Sequence, residues 1–230
     1  MDLSQFEKKL NIKFKDKDLL QQAFVHRSYI NENKKFRLSH NERLEFLGDA
    51  VLELIVTLHL YKKYPASAEG ELTSYRSALV NAITLSKIAG DMGMNEFLLL
   101  SKGEAKDTGR ARTIILANTF EAFVGALYLD QDYDETKKFI TKNLMEKVEE
   151  EIVTKNLWRD AKSLLQEKAQ EVLNITPAYK LISDTGPDHN KMFTIGLYFN
   201  DKLISEGKGH AKQEAEQEAA KKALEIYKWS

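Results

Sequence analysis

The sequence predicts an all-α N-terminal domain followed by a small α+β domain, and three observations lead to this fold class. Through residue 152, apolar residues recur at the three- and four-residue spacing of amphipathic helices, and two-residue alternation is scarce. From residue 159 the pattern changes to a helix, three short segments that favour strands, and a final helix. Between them the polar segment 153–158 interrupts the apolar pattern, so we expect a linker there.

The elements of the first domain follow from runs of apolar residues and from the residues that end them. Tyr64-Pro65 ends a long helix, because proline lacks the backbone donor that a helix interior needs. Gly90 and Gly93 end the next one. The predicted helices cover residues 18–25, 41–61, 72–89, 114–129 and 134–152.

The second domain combines helical and alternating segments around one turn cluster. Residues 185–190, with Gly and Pro among them, read as a turn between two strands. The order α-β-β-β-α is typical of helices packed on one face of an antiparallel sheet. The predicted elements are a helix over 160–173, strands over 179–183, 192–199 and 202–209, and a helix over 211–227.

Composition limits the function classes. The chain has no cysteine, which excludes disulfides and thiolate metal sites and fits a reducing cytoplasm, where we expect the protein to be. Neither a secretory signal nor an apolar run long enough to span a membrane is visible, so we expect no membrane partner. The formal net charge of −1 gives no support for nucleic-acid binding, which must rest on local charge and on motifs.

Acidic residues are concentrated in two otherwise apolar helical segments. Glu42, Glu45 and Asp49 have the spacing i, i+3, i+7 and would share one helix face, and Asn118 and Glu121 are three residues apart in a later segment. Carboxylates crowded among apolar residues repel one another and lose hydration, which a divalent cation would offset. Oxygen ligands favour Mg²⁺ or Mn²⁺ over zinc. Spacing alone leaves solvated acids or surface salt bridges as the alternative.

The run from Asn41 to Asp49, Asn-Glu-Arg-Leu-Glu-Phe-Leu-Gly-Asp, resembles the signature of the bacterial ribonuclease III family. Residues 164–167, 186–189 and 207–209 resemble parts of a double-stranded-RNA-binding domain. The resemblance therefore covers essentially the whole chain as one nuclease domain and one RNA-binding domain. Further motifs of the first domain follow in the family's order: His26–Tyr29, Glu69–Thr73 and Leu116–Ala122.

The resemblance implies a homodimer that hydrolyses double-stranded RNA with Mg²⁺, which Mn²⁺ can replace, in the processing of ribosomal and messenger RNA. Each subunit would cut one strand, leaving 5′-phosphate and 3′-hydroxyl ends with two-nucleotide 3′ overhangs. By position, the catalytic acids are Asp49 and Glu121, and Phe46 faces the partner subunit. The implied metal ligands are Glu45, Asp49, Asn118 and Glu121, and the accessory acids are Glu42 and Glu69.

The same resemblance assigns RNA contacts to the second domain. Gln166 and Glu167 would meet 2′-hydroxyls in one minor groove, and His189 would enter the next. Lys208 and Lys212 would contact phosphates. The family is often basic at positions that are here Gln213 and Glu216, so we expect modest affinity and a shallow dependence on salt.

Asn118 departs from the family, which normally has aspartate at this position. An amide oxygen can ligate a metal but brings no charge, so we expect weaker binding of Mg²⁺ and reduced cleavage. The asparagine is either natural or a substitution meant to trap an uncleaved complex. It also favours an alternative function, a non-cleaving double-stranded-RNA-binding dimer, although retention of the other acids argues against that alternative.

Overall fold

The computed structural model describes residues 2–150, 161–187 and 191–229. The chain divides into two compact units, Met1–Trp158 and Arg159–Ser230, which we call the helical unit and the α+β unit. The predicted fold class is confirmed: helices make up the first unit, and a helix, three antiparallel strands and a helix make up the second. The predicted linker, 153–158, lies outside the described residues.

The helical unit is organised around two long helices, α4 and α7. Its other helices and two 3-10 turns, Met94–Phe97 and Glu104–Lys106, surround this pair, and a π-helical stretch, Thr141–Glu149, continues α7. The helices are α1 (Ser4–Leu10), α2 (Lys17–Ala23), α3 (Arg27–Glu32), α4 (Glu42–Lys63), α5 (Glu69–Val80), α6 (Ala82–Asp91) and α7 (Arg110–Ile140).

The single helix predicted over 72–89 is wrong, because the structure has two helices, α5 and α6, that meet at Asn81. Asn81 is extended (φ −73°, ψ 160°), and its side chain accepts a hydrogen bond from the backbone of Thr84 at 2.9 Å. This is the N-terminal cap that asparagine favours. The apolar period continues across the break because both helices bury a face in the same core.

Helix α7 joins two predicted segments. Asp132 has non-helical angles (φ 63°, ψ −174°) and marks the break that the sequence places between 129 and 134. The stretch from Arg110 to Glu149 is long and apolar enough to cross a membrane by length and composition, contrary to the expectation that no run is. Since 56% of its most apolar window is buried inside the protein, and core helices of soluble proteins pass the same test, this is weak evidence for a membrane span.

Helices α4 and α7 touch backbone to backbone at two glycines. A Cβ atom on Gly48 would lie 1.7 Å from the carbonyl oxygen of Glu121, and one on Gly125 would lie 2.2 Å from that of Leu44. Any larger residue at either position would push the helices apart, because main chain cannot yield as a flexible side chain does. This contact therefore fixes the distance between the acid-bearing faces of α4 and α7.

The α+β unit packs two helices, α8 (Ala161–Leu173) and α9 (Lys212–Tyr227), against a three-stranded antiparallel sheet of order β1-β2-β3. The strands are β1 (Ala178–Thr185), β2 (Met192–Phe199) and β3 (Lys202–Gly209). Helix α9 approaches the sheet closely because small residues face it: Ala215, Ala219, Ala220 and Ala223 are all fully buried.

Candidate active site

The α4–α7 contact brings together the acids that the sequence singles out. Glu45 and Asp49 lie on α4 on either side of the Gly48 contact, and Glu121 supplies the carbonyl oxygen against which Gly48 packs. Glu45, Asn118 and Glu121 are half-buried, and Asp49 is exposed. Two helices far apart in sequence thus contribute side-chain oxygens to one region.

Burial and neighbouring carboxylates raise the pKa values of Glu45 and Glu121. Burial raises the pKa of Glu121 to about 8, with further contributions from Asp49, Glu45 and Glu53. Burial also raises the pKa of Glu45, reinforced by Glu42 and Asp49, while a hydrogen bond with Asn118 opposes that increase. Both shifts favour the protonated acid, as expected where desolvation and like charges act together.

Glu53 is a member of this acidic group that the sequence analysis missed. It lies four residues after Asp49 on α4, and its charge contributes to the raised pKa of Glu121. Extending the spacing i, i+3, i+7 of Glu42, Glu45 and Asp49 by one more turn would have found it.

Cationic side chains do not neutralise the centre of the group. In the described part of the chain, no lysine or arginine forms an ion pair with Glu45, Asp49 or Glu121. Glu42, at the start of α4, differs: one oxygen lies 3.6 Å from Arg27 Nη1 and the other 3.7 Å from His40 Nδ1. Among the described residues, therefore, no cation pairs with the acids at the α4–α7 contact.

The acidic side chains of this group are neighbours, but as described they do not form a complete set of metal ligands. Among residues 2–150, 161–187 and 191–229, no three histidine, aspartate or glutamate side chains are close enough together to hold an ion. Repulsion between like charges opposes any tighter cluster of the carboxylates. The predicted set of metal ligands therefore stays a prediction.

Glu69 occupies a separate place, in the first turn of α5. Thr73 Oγ1 donates a hydrogen bond to Glu69 Oε1 at 3.3 Å. The side chain borders a cavity of about 290 Å³ that is also lined by Thr57, Tyr61 and Arg76. Its accessory role stays a prediction.

Phe46 belongs to an exposed apolar stripe on α4. Its side chain is 81% exposed, and three further large apolar residues are exposed along the same helix: Leu54, Leu58 and Tyr61. Several exposed large apolar side chains on one helix are a candidate protein–protein contact. The ordinary alternative, a Phe46 packed in the core, is excluded by its exposure.

The predicted RNA-binding residues of the α+β unit that the structure describes are accessible. Gln166 and Glu167 are exposed on α8, Lys208 on β3 and Lys212 in the first turn of α9. His189 lies outside the described residues.

Glu216 is less unfavourable to RNA binding than its charge suggests. Its carboxylate lies 2.6 Å from Lys162 Nζ on α8. This ion pair joins the two helices of the α+β unit, so the acid is compensated within the protein. The sequence could not reveal the pair, because its members are 54 residues apart.

Comparison with known proteins agrees with this architecture. Residues 16–148 match the family model "Ribonuclease-III-like", and residues 161–227 match the "Double-stranded RNA binding motif". Ribonuclease 3 of Streptococcus pneumoniae (strain P1031) is 46% identical over 93% of this chain and 91% of its own length. Ribonuclease 3 of Borreliella burgdorferi is 46% identical over 96% of this chain and 90% of its own length.

A solved structure agrees for the helical unit. The nuclease domain of ribonuclease III from Campylobacter jejuni is 35% identical, with a TM-score of 0.58 over 64% of this chain and 99% of that domain. A second structure of the same domain gives a TM-score of 0.57 at the same identity.

A nuclease fold joined to a module for double-stranded RNA defines the class of this protein as a ribonuclease that acts on RNA duplexes. The chain belongs to the ribonuclease III family. It is an endoribonuclease that hydrolyses double-stranded RNA, and the chemistry of its family depends on a metal ion.

Proposed function

We propose that the enzyme cleaves duplex RNA with Mg²⁺, which Mn²⁺ can replace, bound between α4 and α7. The observation that carries this proposal is the group of carboxylates at the α4–α7 contact, which forms no ion pair with a described lysine or arginine and which contributes to the raised pKa of Glu121. The ligands we assign are Glu45, Asp49, Asn118 and Glu121.

The donor set suits a hard divalent cation. The assigned ligands offer only carboxylate and amide oxygens, which Mg²⁺ and Mn²⁺ prefer, and the chain has no cysteine. A cation at this place would offset both the desolvation and the mutual repulsion that raise the pKa values. Asn118 supports a weaker site than aspartate would, because its amide oxygen is neutral.

The residues of the chain divide the remaining work. When bound, the ion activates water and neutralises the phosphate that is attacked. Asp49 and Glu121 hold the site from two different helices, whose distance is fixed by Gly48. The water oxygen joins the phosphorus, the bond to the 3′ oxygen breaks, and that oxygen takes a proton. The products carry 5′-phosphate and 3′-hydroxyl ends.

We further propose that the enzyme acts as a homodimer through the apolar stripe on α4. The stripe is defined by Phe46, Leu54, Leu58 and Tyr61, and a second copy would remove it from water. One of the Campylobacter jejuni structures describes a region involved in dimer formation of that nuclease domain. With one site per subunit, each strand is cut once, and two-nucleotide 3′ overhangs result.

Sedimentation of a stripe variant tests the dimer. Phe46→Glu should sediment as a monomer, since it places a charge in the apolar contact at the most exposed side chain of the stripe. The control is Ile83→Glu on α6, where a 76% exposed side chain lies outside the stripe. Dimers of undiminished affinity in Phe46→Glu would contradict this interface.

The cellular setting follows from composition and activity. We propose a cytoplasmic enzyme that processes ribosomal and messenger RNA precursors, because the absence of cysteine suits a reducing compartment. We also keep the domain limits 1–152 and 159–230, with 153–158 as the linker between them.

A cleavage assay tests the chemistry. A labelled duplex is incubated with the protein in Mg²⁺ and then in Mn²⁺, and the ends of the products are analysed. Asp49→Asn should retain duplex binding and lose cleavage, whereas the control Asp91→Asn, at the exposed end of α6, should cleave normally. Binding by the wild type without product in either metal would favour the non-cleaving dimer instead.

A further inference from the structure

Asn41 begins the helix that carries the acids, yet its side chain does not cap that helix. Asparagine is among the preferred N-terminal caps, because its side-chain oxygen accepts a bond from the first turn. At Asn41 no such bond forms. Instead, Nδ2 donates to the carbonyl oxygen of Ala23, the last residue of α2, at 3.0 Å. The side chain is buried, with 3% of the residue exposed.

The backbone of Asn41 makes a second bond to the same segment. Its N–H donates to the carbonyl oxygen of Val25 at 2.8 Å. Ala23, Phe24 and Val25 are completely buried, and Leu99 pairs with Val25 in an isolated parallel bridge. The carbonyl oxygen of Asn41 then accepts the first intrahelical bond of α4, from Glu45 N at 2.9 Å. The start of α4 is thus fastened to one of the most deeply buried segments of the unit.

We infer that Asn41 is a positioning residue that orients Glu45 and Asp49 for binding of the metal ion. This inference rests on the proposed function. The contacts at Gly48 and Gly125 set the distance between α4 and α7 along the body of α4. Asn41 fixes the first turn of α4 to a different element, α2, one helical turn before Glu45. Residues that support metal ligands in this way determine how well the ligands bind.

The side-chain amide of Asn41 supplies the N–H donor that the carbonyl oxygen of Ala23 accepts. Aspartate has the same shape and would interact better with the positive end of the helix dipole. It has no N–H to donate, however, and it would turn a carboxylate oxygen toward the carbonyl oxygen of Ala23. Asn41→Asp therefore breaks the tether to α2 while it keeps the size of the side chain and leaves an oxygen that could cap α4.

The test measures metal binding without RNA. Mn²⁺ binding is followed by electron paramagnetic resonance, together with unfolding in urea and the Mg²⁺ concentration that half-saturates cleavage. Asn41→Asp should bind Mn²⁺ about tenfold more weakly, the low end of the effect of losing a residue that supports metal ligands. The half-saturating Mg²⁺ concentration should rise by a similar factor.

The matched control is Asn143→Asp. Asn143 is also buried, at 8% exposed, and its Nδ2 donates to the carbonyl oxygen of Phe139 at 3.0 Å. It lies in the stretch Thr141–Glu149, which carries no assigned ligand. The control should lose stability through the same chemistry and bind Mn²⁺ as the wild type does.

Each outcome decides the question. Wild-type affinity for Mn²⁺ in folded Asn41→Asp would overturn the inference and leave Asn41 a structural residue only. If that variant does not fold, Asn41→Ala decides, since alanine removes the donor without adding a charge. Wild-type affinity for Mn²⁺ in Asn41→Ala would likewise overturn the inference, and weaker binding would support it. Failure of the wild type to bind Mn²⁺ would overturn the proposed function as well.

Discussion

Replacing Gly48 with alanine changes the distance between the two acid-bearing helices. The new Cβ atom would lie 1.7 Å from the carbonyl oxygen of Glu121, whereas ordinary contacts begin at 3.4 Å. The obstacle is main chain, so no rotamer change can relieve the clash. The backbones of α4 and α7 must therefore separate by well over an ångström, and Asp49 moves away from Glu121 with them.

The expected losses are unequal for stability and for catalysis. Overpacking typically costs about 1–3 kcal/mol, partly offset by the roughly 1 kcal/mol by which alanine exceeds glycine in a helix. The net loss of up to about 2 kcal/mol should lower the melting temperature by up to about 8 °C, because 1 kcal/mol corresponds to about 2–4 °C for domains of this size. Cleavage should fall by about 100-fold, the usual consequence of displacing a catalytic group by roughly 1 Å.

Thermal unfolding and single-turnover cleavage of a labelled duplex measure the two effects. Gly90→Ala is the control, since Gly90 also lies in a helix but has no atom within 4 Å of the position of its Cβ. It should be as stable as the wild type or slightly more stable, with unchanged cleavage. A Gly48→Ala variant that melts and cleaves like Gly90→Ala would refute the idea that this contact builds the active site.

Three further predictions concern the charges. Asn118→Asp should lower the Mg²⁺ concentration that half-saturates cleavage by about tenfold or more. A tenfold change needs only ~1.4 kcal/mol, and unit charges 4 Å apart interact by about 4 kcal/mol near a surface. Indistinguishable Mg²⁺ titrations of the variant and the wild type would contradict a site weakened by Asn118. Because the pKa of Glu121 is raised, the folded, metal-free protein keeps a proton that the unfolded chain releases near pH 4.5. The free energy of unfolding should therefore decline as the pH rises from 4.5 through about 8. Urea unfolding in EDTA measures this decline, which should be smaller by a few kcal/mol in Glu121→Gln than in the wild type. Parallel plots of unfolding free energy against pH for the two proteins would contradict the raised pKa of Glu121. Lys212→Ala should weaken duplex binding uniformly across sequences and reduce the salt slope by about 1, and an unchanged slope in filter-binding titrations would remove Lys212 from the phosphate contacts.

Local patterns identified most of the elements. The strands 192–199 and 202–209 have the predicted limits, and the final helix starts one residue later than predicted, at Lys212. These elements could be predicted from the sequence because alternation and helical periodicity are properties of neighbouring residues. Helices α1 and α3 were not predicted.

Folding added breaks and partners that no local pattern contained. The junction at Asn81 divides the segment into two helices. The apolar pattern is continuous across the junction because both helices face one core. The ion pair of Glu216 with Lys162 joins the first and last helices of the α+β unit, whose paired residues are 54 positions apart in sequence. Side chains this far apart in sequence meet only through the packing of the elements that carry them.

The sequence by itself determined that Glu42, Glu45 and Asp49 share one face of α4, because the helix period fixes which residues align. Only the tertiary structure decided that Glu121 lies near Asp49, and that Asn41 reaches back to Ala23. The physical reason is that α4 and α7 are separated by dozens of residues, so their contact depends on how the whole core packs.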